Sequence, residues 1–264
     1  MATVASMSEG TGVSIGGILG GAFGVMGANP VVIFGISFLF GALPPQLYSY
    51  FLLTSISSPD LPFSLRSVMM GGSGLVFLLC SMLAQGGIIR ASVAYANGER
   101  ASFGECIAVG LAKAVPLIIL SILFALGVGF GFVLLFVPGI MLFIMWSVSA
   151  PALIAEPVGI FGAFGRSRYL TKGARWKIFG MMLLLLVLLW ILSAIMGVLL
   201  LSSGVSFMAT GLASGHLPFW YMGLSVVSST ISTAVTSTVI TGLYIALRNW
   251  KDGPQADALA DIFA

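Results

Sequence analysis

Charge is what this chain has least of. Only 7% of its 264 residues are Asp, Glu, Lys or Arg, against 59% hydrophobic residues and a mean hydropathy of +1.12. Soluble domains carry about 25% charged residues, so this composition cannot build a water-facing surface. Histidine occurs once, at His216, and cysteine twice, at Cys80 and Cys106. Two thiols make no metal site, and a disulfide between a span and a cytoplasmic helix is not expected. The acids Glu9, Asp60, Glu99, Glu105, Glu156, Asp252, Asp257 and Asp261 fall in loops, interfaces or tails, and no predicted span holds two of them. A phosphodiester hydrolase needs metal ligands or an acid/base pair. The one arrangement the topology permits, His216 with Asp60, has no motif behind it. Phosphate-binding glycine loops and metal-ligand spacings are missing too. No cofactor, metal or nucleic-acid partner is expected. Residues 1–11 lack the cationic start of a cleavable signal peptide.

Apolar length is what the chain has. Six runs, at about 30–54, 66–94, 114–137, 138–155, 175–202 and 217–249, approach the roughly 20 residues that cross hydrocarbon. The expected fold class is all-α integral membrane, with six transmembrane helices and about three amphipathic interfacial helices. Residues 12–251 form one membrane domain between a flexible tail at 1–11 and a cytoplasmic tail at 252–264. With six spans the loops alternate in side. Arg90, Arg100, Lys113, Arg166, Arg168, Lys172, Arg175, Lys177, Arg248 and Lys251 fall on one side, and only Arg66 on the other. Short loops rich in Lys and Arg stay cytoplasmic, which places both termini inside a bacterial inner membrane.

Three cytoplasmic segments share a pattern, a short half-polar helix followed by an out-and-back hairpin. They open at Ser14-Ile15-Gly16, Ser102-Phe103-Gly104-Glu105 and Ile160-Phe161-Gly162, and suggest pseudo-threefold repeated units. Ser102 and Glu105 have capping-box spacing. Pro157 suits a first helical position and Gly173 the residue after a helix end, framing a helix of about 157–172. On it, Ile160, Phe161, Phe164 and Leu170 are expected to dip into the acyl region while Arg166, Arg168 and Lys172 reach headgroups. Gly16, Gly20 and Gly24 recur every four residues, a candidate helix-packing face for the bundle or a second subunit. Pro44-Pro45 is expected to interrupt span one, and Val137-Pro138-Gly139 to form the external turn between spans three and four. Trp220 and Tyr221 suit an aromatic belt.

The run Val137-Pro138-Gly139, Trp146, Pro151-Ala152, Glu156, Arg166-Ser167-Arg168-Tyr169-Leu170-Thr171-Lys172-Gly173 and Trp176-Lys177 resembles a bacterial six-span family. Gln85-Gly86, Gly98, Ser102, Tyr244 and Leu247-Arg248 fit the same pattern. The family is the glycerophosphoryl diester phosphodiesterase membrane-domain family, with its stand-alone relatives. The resemblance implies that any hydrolase would be a separate soluble domain, for which residues 252–264 leave no room. The glycine-rich first helix departs from the more basic version the family leads one to expect.

Two groups of residues remain as candidates. Five of the 11 Lys/Arg residues crowd into 151–177, where Glu156, Arg166, Arg168, Lys172, Arg175 and Lys177 form a lipid-headgroup or topology anchor. Glu156 is read either as orienting Arg166 and Arg168 toward an anionic headgroup, or as a helix-start carboxylate that pairs with them. In span six, ten Ser/Thr lie between Ser225 and Thr241, and Ser225, Ser229, Ser232 and Thr236 form a hydroxyl stripe. The stripe either lines a polar cavity or bonds back to helix carbonyls. The composition therefore favours a non-catalytic scaffold or lipid-associated accessory protein. The alternative is a transporter or channel for a small or lipidic solute, and a membrane enzyme acting on phospholipid-derived diesters comes third. Membrane lipids are the expected partners, with a protein partner or self-association through the first helix. A periplasm-dependent reporter fused after Ala264 is expected to be silent, and an active one would reverse the topology.

Overall fold

The computed structural model describes residues 14–56, 62–202 and 219–253. His216, Asp60, Glu9, Asp257 and Asp261, the segment 203–218 and the outer parts of both tails lie outside them. Every regular element among the described residues is a helix, and six helical stretches are long and apolar enough to cross a membrane.

Helix α1 (Ile15–Ala28) begins where Ser14 Oγ accepts the Gly17 N–H at 3.2 Å. It buries Ile18, Ala22, Val25 and Met26, a stripe at helical spacing. Gly16 and Gly20 face the other way, with nothing within 4 Å of a Cβ added at either. The helix packs on its own bundle through Ile18 and Ala22, and of the candidate glycine face only Gly24 nears a neighbour, where a Cβ would stand 3.4 Å from the Tyr95 hydroxyl. The glycine at the closest backbone approach is on the partner helix: a Cβ on Gly242 would stand 3.4 Å from the Ile18 carbonyl oxygen.

Span one runs without a break through α2 (Pro30–Ile36), a π-helical segment (Ser37–Ala42) and α3 (Leu43–Ile56). Pro44-Pro45 does not interrupt it. Neither proline has an N–H to give a carbonyl one turn back, and the preceding turn widens, with Leu43 N–H bonding to Phe38 O. That wide turn meets span six at Gly41, where a Cβ would be 2.7 Å from Thr233 Cγ2.

Span two is α4 (Phe63–Ala96). It ends in a Schellman-type turn: Gly98 takes φ +80°, and the Glu99 N–H reaches the Ala94 carbonyl at 2.8 Å. Span three is α5 (Phe103–Leu134), and here the second expected interfacial helix does not exist separately. Ser102 caps the start by accepting the Glu105 N–H at 3.2 Å, but the helix then runs through Pro116 to Leu134. The Glu105 carboxylate turns to Arg90, accepting from its Nε at 2.9 Å, rather than back to the Ser102 N–H as a capping box would have it.

The turn between spans three and four is not at Val137-Pro138-Gly139. Leu135 alone links α5 to α6 (Phe136–Trp146), and Pro138 and Gly139 sit inside the first turns of α6. A Cβ on Gly131 would lie 3.0 Å from Gly139 Cα, so the hairpin closes tightly because both residues lack side chains. Span four then breaks after Trp146 and resumes as α7 (Ser149–Ala155). Helix α8 (Gly159–Thr171) starts later than expected. Pro157 stands in the bend before it and Gly159 turns the chain at φ +66°. Gly173, at φ +94°, follows its end as expected. Spans five and six are α9 (Arg175–Ser202) and α10 (Phe219–Asp252).

The core explains the arrangement. One cluster joins Ile18 and Ala22 of α1, Ala152 of α7, Leu170 of α8, Ile178 and Met181 of α9, and Leu243 and Tyr244 of α10. Helices α1 and α8 are therefore built into the bundle. Of the α8 residues expected in the acyl region, Leu170 is fully buried, Ile160 and Phe164 pack on a small cluster with Leu153 and Ala163, and only Phe161 stays exposed. Span six is the central post, with 44% of its most apolar window buried, whereas span five has 6%.

Spans two and three cross closely at glycines. A Cβ on Gly110 would stand 2.9 Å from the Leu83 carbonyl oxygen, and one on Gly86 would stand 2.9 Å from Gly110 Cα. Gly110→Ala is expected to cost about 1–3 kcal/mol because backbone must move. Gly20→Ala, in open space, should be neutral or stabilise by up to about 1 kcal/mol. Denaturant unfolding in mixed micelles measures both, and equal losses would contradict the packing described.

Candidate functional site

The residues that bear charge inside this fold meet at one end of the bundle. Glu156 follows the last residue of α7, and the bend through Pro157 and Gly159 sends α8 back past it. Ten residues on, Arg166 faces the carboxylate, its Nε 3.0 Å from Oε1 and 2.8 Å from Oε2. The same guanidinium reaches Asp252 at the end of α10, with Nη1 3.4 Å from Oδ1 and Nη2 in close contact with Oδ2. Tyr244, 1% exposed, donates its hydroxyl to Glu156 Oε1 at 2.6 Å. Span four, α8 and span six are thus tied by one cation between two carboxylates. The three charged side chains are mostly covered, at 16%, 20% and 26% exposure for Glu156, Arg166 and Asp252.

The hydrogen bond to Asp252 is the largest influence holding the Arg166 pKa above its ordinary value, opposed by partial burial and reinforced by Glu156. The Tyr169 ring lies 5.6 Å from the Arg166 guanidinium carbon and 5.8 Å from Lys251 Nζ, and Lys251 Nζ also stands 4.2 Å from the Trp250 ring centroid. Trp250 in turn covers Gly173, where a Cβ would be 3.1 Å from its ring.

Helix α8 also mends the break in span four. Ser167 Oγ donates to the Met145 carbonyl at 2.8 Å and accepts the Val148 N–H at 3.3 Å. Thr171, one turn later, bonds the Ser167 carbonyl at 2.9 Å and lies 3.4 Å from Met145 O. These are the backbone groups that the turn at Ser147-Val148 frees, and at this depth they need partners.

The candidate anchor residues therefore divide. Glu156 pairs with Arg166 while Arg168 is exposed, and Glu156 stands at the end of α7 rather than capping α8. Arg166 turns inward to the clasp, not outward to headgroups. Arg168, Lys172 and Lys177 are exposed, and Arg175 is half-buried with its Nε lacking a hydrogen-bond partner.

The hydroxyl stripe divides as well. Thr230, Thr238 and Thr241 donate to carbonyls one turn back, at 2.8, 2.6 and 2.7 Å. Ser229 instead meets Gln46 of α3, whose Nε2 donates to Ser229 Oγ at 2.9 Å, while Ser225 Oγ donates back to the Met222 carbonyl at 2.8 Å and lies 3.3 Å from Gln46 Oε1. Both serines line a hollow of about 420 Å³ with Ser193, Ser228 and Tyr221. Thr236 lines a separate apolar groove, and Ser232 is half-buried.

Four residues escaped the sequence reading of the site. Asp252 falls in the expected cytoplasmic tail, Tyr244 and Ser167 enter only through the resemblance, and Gln46 belongs to no motif. Gln46 carried one signal, an amide directly after a double proline inside an apolar run. Among the described residues no three His, Cys, Asp or Glu side chains could hold a metal ion.

Six helices long and apolar enough to cross a membrane, among the described residues, are the make-up of a polytopic membrane protein. No protein-family model matches the chain, and neither a curated protein nor a solved structure matches it.

Removing one partner of a covered ion pair leaves the other without compensation. With part of each side chain still solvated, Arg166→Leu is expected to cost about 2–3 kcal/mol. Tyr244→Phe should cost about 1 kcal/mol. Denaturant unfolding of the two variants and of Glu156→Gln tests this, together with a double-mutant cycle for Glu156 and Arg166. A coupling near zero would remove the clasp.

Proposed function

We propose that the chain is a non-catalytic protein of the bacterial inner membrane, a scaffold or lipid-associated accessory protein with a basic cytoplasmic face and both termini cytoplasmic. The observation that carries this reading is the division of labour among the cations. Arg166 is committed to Glu156 and Asp252, while Arg168, Lys172 and Lys177 stay exposed around it, beside the fully presented ring of Trp176. Exposed cations next to an interfacial tryptophan suit the headgroup layer of an anionic leaflet. The carboxylates best placed for acid/base work, Glu156 and Asp252, are held by Arg166, with Tyr244 donating to Glu156, which supports the non-catalytic reading. We keep α1 and α8 as interfacial elements of pseudo-threefold units. We also place the chain beside stand-alone members of the glycerophosphoryl diester phosphodiesterase membrane-domain family, on the residues quoted above.

A second reading, a transporter or channel for a small or lipidic solute, is favoured by the Gln46, Ser225 and Ser229 contact beside a hydroxyl-lined hollow. The π-helical turn just before Gln46 adds to it, since such turns recur at functional sites.

In nanodiscs, the protein is expected to unfold at higher temperature in phosphatidylglycerol than in phosphatidylcholine. The triple variant Arg168→Gln, Lys172→Gln, Lys177→Gln should lose most of that gain, at roughly 1 kcal/mol per cation. An unchanged gain would sink the basic-face reading, and solute flux abolished by Gln46→Leu in proteoliposomes would promote the second.

A further inference from the structure

Span five stands away from the bundle, and the space it leaves has a polarity pattern along its length. A groove of about 420 Å³, lined almost wholly by apolar atoms, opens between α9, α6 and α10, with Ile140, Phe143, Met182, Leu186, Leu189 and Thr236 among its walls. Such walls hold no water in a bilayer, so hydrocarbon must fill them.

The α9 wall continues to the basic end of the bundle. At about 100° per residue, Arg175, Met182, Leu186, Leu189 and Ser193 share a sector of about 60°. Lys177 and Leu188 fall on the opposite side of the same helix. Arg175 is not itself a wall of the groove; by helical spacing it lies on the same side, one turn beyond Phe179, the first wall residue on α9, and about 21 Å from Leu189 at 1.5 Å per residue. That exceeds the depth of one leaflet, about 15 Å. Arg175 is also the one described side chain with a buried polar atom, Nε, that has no hydrogen-bond partner. A cation so placed calls for an anion, and guanidinium matches phosphate geometry.

From this juxtaposition we infer that the groove between spans four, five and six is a specific site for one anionic phospholipid, its phosphate at Arg175 and an acyl chain along Met182, Leu186 and Leu189. The inference rests on the lipid-associated reading and narrows it from a diffuse basic face to a single bound molecule.

Full-length protein in nanodiscs of equal dioleoylphosphatidylglycerol and dioleoylphosphatidylcholine, released and weighed by native mass spectrometry, tests it. The wild type should retain one phosphatidylglycerol in preference to phosphatidylcholine. Arg175→Gln should lower that preference roughly fivefold, the worth of one cation at an anionic surface. Leu186→Trp, which fills the groove, should lower retention of both lipids by a similar factor. Leu188→Trp, on the opposite side of the helix, should change either quantity by less than about twofold. Lys177→Gln, one of the basic-face cations, should lower the preference less than Arg175→Gln does, and equal losses in the two would overturn the groove site and leave the basic-face reading standing. No lipid preference in the wild type would remove both. If Arg175→Gln does not fold, the tryptophan pair decides alone, and equal retention in the two overturns the site.

Discussion

The guanidinium of Arg166 lies between the carboxylates of Glu156 and Asp252, and three segments of chain meet because it does. Span four ends at one carboxylate, span six ends at the other, and α8 carries the cation. An ion pair so covered gains little over a well-packed apolar contact, but breaking it is costly. Its worth is therefore in specifying geometry: Tyr244 can reach Glu156 only if span six is seated at one depth and rotation. With α8 held there, Ser167 and Thr171 fall on the broken turn of span four and satisfy its free backbone groups. Helix α8 thereby packs one face into the bundle while Phe161, Arg168 and Tyr169 stay exposed on the other.

Away from the clasp, the bundle is organised by how closely helices approach. Gly86 and Gly110 bring spans two and three together, Gly131 and Gly139 close the next hairpin, and Gly41 seats the π-helical turn on Thr233. Span five has no comparable contact along most of its length, and Trp190, Ile191 and Val198 remain exposed. The same contrast produces the groove. Where small residues line a helix the backbones meet, and where leucines line it the neighbours stand off and leave space for lipid.

Much of the fold was legible beforehand. Five of the six apolar runs match helices within about three residues, because length and hydropathy are local properties, whereas span three begins at Phe103, 11 residues before the expected start at 114. Gly173 was read correctly as a helix stop, since a residue with positive φ suits glycine wherever the helix end lies. The errors also share a cause. Pro44-Pro45, Pro138 and Pro157 each suggest a break, turn or cap by proline chemistry alone. Pro44-Pro45 is absorbed by a wide turn, and Pro138 sits inside a continuous helix. Pro157 comes before its helix rather than at the first position. Proline removes a donor, but whether the chain breaks there depends on what else can take the freed carbonyl. The glycine periodicity of α1 was real, yet Gly16 and Gly20 face outward, because spacing shows that residues share a face and not which way it points.

The site divides along the same line. The density of cations in 151–177 and the hydroxyl density of span six follow from composition, since every residue concerned lies in one stretch of chain. Which cation is inward was decided by contacts across 10 and 86 positions of sequence, from Arg166 to Glu156 and to Asp252. The division of the hydroxyls was set by Gln46, 183 positions from Ser229. The sequence by itself determined the class of fold and the basic end of the bundle, because burial in hydrocarbon and charge bias act on segments. Partners, depth and rotation were left to the tertiary structure, because a polar group deep in the bundle must bond to whichever distant neighbour the packing brings near.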